Sequence, residues 1–328
     1  MLRMDGFSYH HAASPAEAVT LWQSLPDPRY IAGGTDLLPN IKHRIINPAS
    51  LIGIATALPS GWEERDGAVV IGGGTRLSAL TACAALPALA KAAGLVASPQ
   101  IRNMGTIGGN VLLDTRCLFY NQSEFWRKSL GYCLKAEGDW CHVIGGPKTC
   151  VATQSSDTVP ALLIMDASIT LLGPDGERTI SLRDLYRFNG MDHLKLHPGE
   201  LLTAISVPKP APGYRATYHK IRTRGSIDFP QLGLAIGGVF EGSGPDAVAR
   251  SLDIVVGAIN PQPKPIRKLE AFCDRPLTDA LIAELAEVVY KRSRPVAAVH
   301  GDPQWRRTMA SVTARRVLLE LRDATSGS

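Results

Sequence analysis

Four of the six cysteines in this chain of 328 residues lie within one stretch of 34 residues. Their spacing is Cys-x15-Cys-x7-Cys-x8-Cys, and thiolates gathered in this way can hold a zinc ion or a [4Fe–4S] cluster. The short Cys-x2-Cys pairs typical of zinc sites and of ferredoxins are absent. The spacing leaves three alternatives open: an iron–sulfur cluster, a zinc site, and thiols without a metal. The candidate ligands are Cys117, Cys133, Cys141 and Cys150.

Glycine-rich turns precede the cysteines and indicate a second kind of site. Three of them occupy residues 33–36, 72–75 and 105–110. Glycine allows a positive φ, and successive exposed amides in such turns bind anions. Neither the Gly-x-Gly-x-x-Gly fingerprint nor a P-loop lysine is present. The turns therefore favour a phosphate-bearing cofactor. Side chains that can add hydrogen bonds to it are Thr35, Thr106 and Asn110.

The composition is that of an ordinary globular protein, with 45% hydrophobic and 20% charged residues. The formal net charge of +5 is mild and the basic residues are scattered, which argues against a nucleic-acid partner. No apolar run reaches the roughly 18–20 residues that cross a bilayer, and residues 1–19 lack the apolar core of a signal peptide. We therefore expect a cytoplasmic protein without a membrane span, in which cysteines stay reduced.

Periodicity and capping signals predict an α+β fold. Residues 14–25 are predicted to form a helix with Ser14 as N-cap and Pro15 in its first position. The proline-rich residues 208–213 mark a domain boundary. Further predicted helices cover residues 77–86, 87–96, 278–291 and 304–322. Predicted strands cover residues 29–32, 68–71, 168–172 and 201–207, and residues 214–222, 232–240 and 251–258 are predicted to form an antiparallel meander.

Two of the glycine turns carry a family resemblance. Residues 32–37 (AGGTDL) and 100–110 (QIRNMGTIGGN) resemble the FAD-binding medium subunits of the xanthine dehydrogenase and carbon monoxide dehydrogenase superfamily of molybdenum hydroxylases. The resemblance implies that both turns hold the FAD pyrophosphate. It also implies that Asp157 bonds the ribityl chain or ribose and that Lys220 lies near the flavin ring. The cofactor-binding residues implied are Ala32, Gly33, Gly34, Thr35, Asp36, Leu37, Thr106, Gly108, Gly109, Asn110, Asp157 and Lys220.

The same resemblance implies the domain organisation. Two α/β subdomains of the PCMH type, residues 1–57 and 58–207, are expected to hold FAD in the cleft between them. A C-terminal domain, residues 213–324, is expected to combine a small antiparallel sheet with helices. Ordinary members of the family lack most of residues 114–152, which carry the four cysteines and are called the cysteine loop below.

The cysteine loop resembles that of the β subunits of 4-hydroxybenzoyl-CoA reductases, in residues 114–124, 131–135 and 141–144. This resemblance implies a [4Fe–4S] cluster bound by the four cysteines. It also implies an electron path from ferredoxin through [4Fe–4S] and FAD to [2Fe–2S] and molybdenum. A large molybdopterin subunit and a small [2Fe–2S] subunit are the implied partners, in a dimer of heterotrimers. No nucleophile–base group is evident, so no catalytic residue is assigned and substrate is expected to bind a partner subunit.

Two other functions stay open. One is an oxidative molybdenum hydroxylase that acts on an N-heterocycle or another aromatic compound. The other is a flavin-binding scaffold whose cysteine loop holds a structural zinc. Basic residues outnumber acidic ones in the cysteine loop, which predicts a solvated face or a docking surface for an acidic ferredoxin. These basic residues are Arg116, Arg127, Lys128, Lys135 and Lys148.

Overall fold

In the computed structural model, which describes residues 3–324, the strands form three sheets. The N-terminal sheet is parallel, in the order β1-β3-β2. Its strands are β1 (Ser8–His11), β2 (Pro28–Ile31) and β3 (Ser50–Gly53), and its helices are α1 (Pro15–Ser24) and α2 (Leu37–Lys42). The Ser14 hydroxyl accepts a hydrogen bond from the Glu17 amide, which confirms the predicted start of α1. The first glycine turn connects β2 to α2, at one end of the sheet.

The second sheet is antiparallel, in the order β4-β5-β8-β6-β7. Its strands are β4 (Trp62–Arg65), β5 (Ala68–Gly72), β6 (Ser168–Gly173), β7 (Gly176–Ser181) and β8 (Leu201–Pro208). Between β5 and β6 the chain forms α3 (Leu77–Leu80), α4 (Pro87–Gly94), α5 (Pro99–Met104), α6 (Ile107–Val111), α7 (Glu124–Ser129) and α8 (Thr158–Leu163). Side chains of the sheet and of α3, α4, α6 and α8 share one large apolar core. The remaining glycine turns and Asp157 therefore rest on a rigid base.

The predicted helix over residues 77–86 is wrong beyond Leu80. Residues 81–86 instead form tight turns, which bury both Cys83 and Leu86. Proline at position 87 disfavours helical backbone at Leu86, whose ψ is 70°. The chain therefore restarts its helix at Pro87.

Two short helices, α5 and α6, also occur where no helix was predicted. The hydroxyl of Ser98 caps α5, and that of Thr106 caps α6. Ser98 is followed by proline, a start signal that could have revealed α5 in the sequence.

The C-terminal sheet is antiparallel, and β10 lies at its centre. The predicted meander is confirmed by the pairing of β9 with β10 and of β10 with β12. Two helices cover one face of the sheet, and the Thr278 hydroxyl caps the first of them. The elements are β9 (Tyr214–Ile221), β10 (Leu232–Glu241), β11 (Val248–Ala249), β12 (Asp253–Gly257), β13 (Lys264–Pro265), α9 (Asp279–Arg292) and α10 (Pro303–Asp323).

The cysteine loop is mostly irregular and is held at its base by backbone pairing. Arg116 and Thr153 exchange two hydrogen bonds, of 2.8 and 2.7 Å. The loop packs under Ala298, whose carbonyl accepts a hydrogen bond from the amide of Leu118 at 2.8 Å, and against Ile45 of the N-terminal part. It therefore contacts all three parts of the fold. Within the described residues, no helix combines the length and apolarity that a bilayer crossing requires.

Candidate functional site

A cleft of about 610 Å³ is lined by the N-terminal sheet, the second sheet's turns and the loop between β9 and β10. That loop contributes Ile227, Asp228 and Phe229, which the sequence did not single out because they lie far along the chain. Lys220 is not among the lining residues. The cleft brings together the other eleven predicted cofactor-binding residues, which are Ala32, Gly33, Gly34, Thr35, Asp36, Leu37, Thr106, Gly108, Gly109, Asn110 and Asp157.

Close backbone contacts fix the two glycine turns against each other and against the second sheet. A Cβ atom on Gly33 would overlap the carbonyl oxygen of Met104. One on Gly108 would lie 2.8 Å from the carbonyl oxygen of Gly73, to which the Gly108 amide donates a 3.0 Å hydrogen bond. Glycine at both positions is thus required by close approach.

The two turns differ in the amides that they can offer to a ligand. Among the described residues, the amides of residues 33–36 have no protein acceptor. In the turn at residues 105–110, the amides of Ile107, Gly108 and Gly109 all donate to protein oxygens. The Asn110 carboxamide oxygen is likewise engaged, by hydroxyls of Ser156 and Thr158. The turn at residues 33–36 therefore supplies free amides, whereas the turn at residues 105–110 contributes to the shape of the cleft.

Asp157 lies at the buried end of the cleft and is held from behind by two side chains of β9. Its carboxylate accepts hydrogen bonds from Tyr218, at 2.7 Å, and from the fully buried ammonium of Lys220, at 2.8 Å. Burial raises the pKa of Asp157 and lowers that of Lys220, and each charge opposes the other's shift. Lys220 therefore positions Asp157 and does not itself line the cleft. Tyr218 could have been found from the sequence, because alternate residues of a strand share a face.

The four cysteines of the loop line one small internal cavity, called the thiol cavity below. Each of them is buried, and all six cysteines of the chain are free thiols. No three His, Cys, Asp or Glu side chains among residues 3–324 lie close enough together to bind a single metal ion. The four thiols thus surround the cavity without converging on one point.

The surroundings of the thiols are apolar, with a few hydrogen bonds to sulfur. Burial raises the pKa of Cys117 to about 12 and also raises that of Cys150, although Lys135 opposes the second shift. The Ala152 amide donates to the Cys150 sulfur at 3.5 Å. His142 lines the cavity, but its Nε2 bonds the Tyr132 carbonyl at 2.9 Å, so it shields the cavity. Cys117 and Cys150 therefore stay protonated until a metal displaces their protons.

A short wall, residues 114–116, separates the cleft from the thiol cavity. Asp114 and Arg116 line the cleft, and the next residue, Cys117, lines the cavity. Arg116 forms an ion pair with Asp36, and its guanidinium lies 4.8 Å from the ring centre of Phe229. Burial lowers the pKa of Arg116 to about 10. This arginine, which precedes the candidate ligand Cys117, was not assigned to the cleft from sequence.

The basic residues of the cysteine loop do not form the predicted solvated face. Arg116, Arg127 and Lys135 are turned inward and form ion pairs with Asp36, Glu124 and Asp114, respectively. The charged side chains that remain exposed are Lys128, Glu137, Asp139 and Lys148, which together carry no net charge. An excess of basic charge for docking an acidic protein is therefore absent from this loop.

Residues 5–210 match the sequence family described as the FAD binding domain in molybdopterin dehydrogenase, and residues 216–321 match the CO dehydrogenase flavoprotein C-terminal domain. The chain belongs to the family of FAD-binding medium subunits of molybdenum hydroxylases. It is accordingly a flavoprotein subunit of an oxidoreductase. The family resemblance stated from the two glycine turns is confirmed.

Relatives of the chain match it over nearly its whole length. The aldehyde oxidoreductase FAD-binding subunit PaoB of Escherichia coli (strain K12) is 31% identical, over 97% of this chain and 99% of that one. The carbon monoxide dehydrogenase medium chain of Afipia carboxidovorans is also 31% identical, over 95% of each chain. The structure of carbon monoxide dehydrogenase from Hydrogenophaga pseudoflava lacking the Mo-pyranopterin moiety aligns with a TM-score of 0.77 at 26% identity, covering 98% of this chain and 100% of that chain. The predicted fold class is thereby confirmed.

Replacing Gly33 by alanine is expected to lower FAD affinity by about 10- to 100-fold. The added methyl group would overlap the Met104 carbonyl oxygen, and relieving this overpacking costs about 1–3 kcal/mol and displaces the turn whose amides are free. Flavin fluorescence titration of apoprotein measures this. Gly6→Ala is the control, since nothing lies within 4 Å of a Cβ at that position. Wild-type affinity in the Gly33 variant would contradict the assigned role of this turn.

Replacing Lys220 by methionine is expected to reduce the free energy of unfolding by about 3–5 kcal/mol, because it leaves the Asp157 carboxylate buried without its cation. The double variant Asp157→Asn/Lys220→Met should recover most of this loss. Lys209→Met removes an exposed ion pair with Glu64 and should change stability by less than about 1 kcal/mol. Urea denaturation of the four proteins gives the values, and equal losses in the single and double variants would contradict the coupling.

Proposed function

We propose that this chain binds FAD in the cleft and relays electrons within a molybdenum enzyme complex. The observation that carries the proposal is the first glycine turn, residues 33–36, whose amides have no protein acceptor among the described residues and whose residues line the cleft. A pyrophosphate is an anion suited to such amides. The cleft volume falls within the range of about 300–1,000 Å³ that is usual for ligand sites. Bound FAD supplies redox chemistry that exchanges one or two electrons.

The residues of the chain have distinct roles in this proposal. Residues 33–36 hold the pyrophosphate, and Asp157, oriented by Tyr218 and Lys220, bonds the ribityl chain or ribose. The division into residues 1–57, 58–207 and 213–324 is part of the proposal, because the cleft then lies between the first two units.

The cysteine loop is proposed to hold a [4Fe–4S] cluster through Cys117, Cys133, Cys141 and Cys150. Four buried thiols around one cavity form a donor set that suits both this cluster and zinc. Around zinc, all four sulfurs must converge on a single ion, whereas each iron of the cluster binds a different thiolate. The resemblance of the cysteine loop to that of the 4-hydroxybenzoyl-CoA reductase β subunits supports the cluster over the zinc alternative.

Substrate is proposed to bind a large molybdopterin subunit. A small [2Fe–2S] subunit is proposed to carry electrons between that subunit and this chain. The three subunits are proposed to form a dimer of heterotrimers in the cytoplasm. The relatives named above are an aldehyde oxidoreductase subunit and carbon monoxide dehydrogenase subunits. Their names favour the oxidative alternative, with electrons leaving through this chain to a one-electron carrier of the ferredoxin class. An aldehyde is the first substrate class to test.

A reductive 4-hydroxybenzoyl-CoA reductase is the second candidate. It is favoured by the resemblance of the cysteine loop to that of the reductase β subunits, and it stays a prediction. Assays of the assembled complex, with aldehydes plus an oxidised carrier and with 4-hydroxybenzoyl-CoA plus a reduced one, separate the two reactions.

Iron, acid-labile sulfide, zinc and flavin should be measured on anaerobically purified chain. We expect about four irons and four sulfides per FAD, with negligible zinc. Cys150→Ser should lose most of the iron and retain FAD, since the cleft is a separate site. Cys83→Ser is the control, because Cys83 is a buried thiol outside the thiol cavity. One zinc without sulfide would overturn the cluster, and failure to bind FAD would overturn the cleft assignment.

A further inference from the structure

A buried ammonium group, that of Lys135, lies against the wall between the two sites. The side chain of Lys135 is only 6% exposed and lines the thiol cavity together with the four cysteines. Its Nζ donates to the Asp114 carboxylate at 2.6 Å and to the Thr115 hydroxyl at 2.5 Å, and lies 4.8 Å from the ring centre of Tyr120. These contacts fix the position of the charge.

The partner of Lys135 faces the other way. Asp114 lines the cleft, whereas Lys135 lines the thiol cavity. The ion pair is thus oriented across the wall, with its negative end towards the cleft and its positive end towards the sulfurs. The Lys135 end of the pair is buried, where charges are screened far less than at the surface, whereas the Asp114 side chain is 40% exposed at the cleft.

Other charges near the wall do not cancel this orientation. Arg116 and Asp36 form an ion pair on the cleft side, where both line the same cleft. Arg127 is paired with Glu124 and also donates to the carbonyl oxygens of His43 and Arg44. His193 lies 3.8 Å from Asp114, and burial lowers its pKa, which favours the neutral ring.

We propose that the Asp114–Lys135 ion pair makes the thiol side of the wall more favourable for an electron than the cleft side. This inference rests on the proposed FAD and [4Fe–4S] sites. A positive charge beside the sulfurs stabilises the reduced cluster, and a negative charge beside the cleft disfavours added electrons on the flavin. Lys135 therefore acts as a residue that sets potentials and contacts no substrate.

The electron transfer that this bias favours involves no bond changes within the chain. One electron leaves reduced FAD, which is oxidised by one equivalent, and reduces the cluster by one equivalent. A one-electron carrier of the ferredoxin class then reoxidises the cluster. The orientation of the ion pair thus supports outward electron flow, as an oxidative enzyme requires.

The test compares Lys135→Met with two matched variants of the full chain loaded with FAD and iron. Lys135→Arg keeps the charge. Lys148→Met removes the same charge at an exposed position two residues from Cys150. Anaerobic redox titrations, followed by the EPR signal of the reduced cluster and by flavin absorbance, give both potentials.

We expect Lys135→Met to lower the cluster potential relative to that of the flavin by at least tenfold in the electron-transfer equilibrium, or 59 mV. Lys135→Arg and Lys148→Met should each change it by less than threefold. Asp114→Asn removes the negative charge of the pair and should raise the flavin potential relative to that of the cluster. If Lys135→Met does not retain iron, the relative potentials of Asp114→Asn test the inference instead.

Unchanged relative potentials in iron-loaded Lys135→Met, or in Asp114→Asn, would overturn the inference and leave the cofactor sites intact. An equal shift in Lys148→Met would also overturn it, because net charge alone would then explain the effect. Absence of iron and sulfide from the wild-type chain would instead overturn the cluster assignment and, with it, this inference.

Discussion

The whole candidate site depends on backbone contacts too close for any side chain. Gly33 packs on the carbonyl of Met104, and Gly108 packs on Gly73. These contacts join the parallel N-terminal sheet to the antiparallel second sheet at their turns, so the space left beside them becomes the cleft. The amides of the turn at residues 105–110 form hydrogen bonds that hold both turns in position. The amides of the turn at residues 33–36 are therefore free to face a ligand.

The wall at residues 114–116 gives the two sites a common boundary of very few residues. One strip of chain supplies a carboxylate and a guanidinium to the cleft and then, at Cys117, a thiol to the cavity. Charges inside such a wall must be paired to be tolerated, and each of them is. The pairing of Asp114 with Lys135 that stabilises the wall also places a negative charge on the cleft side and a positive charge on the thiol side.

Much of the architecture could be predicted from the sequence, because caps, alternating strands and glycine turns are local signals. The N-cap at Ser14 and the three-stranded meander after residue 213 are of this kind. The inward orientation of Arg127 and Lys135 could not be predicted, since burial of a charge depends on a partner that only the folded loop supplies. Lys135 meets Asp114 across 20 intervening residues of irregular chain, where no periodicity indicates which side chains share a face.

The cysteine loop leaves and re-enters the fold at one point, because Arg116 and Thr153 are hydrogen-bonded neighbours. A chain without residues 117–152 needs only a tight turn there to close, with repacking around Ala298. The cleft and both large cores lie outside this segment. In evolutionary terms, an ancestral flavin subunit can therefore acquire or discard the four-cysteine loop through a single gene insertion or deletion, while the older flavin-binding architecture is inherited intact.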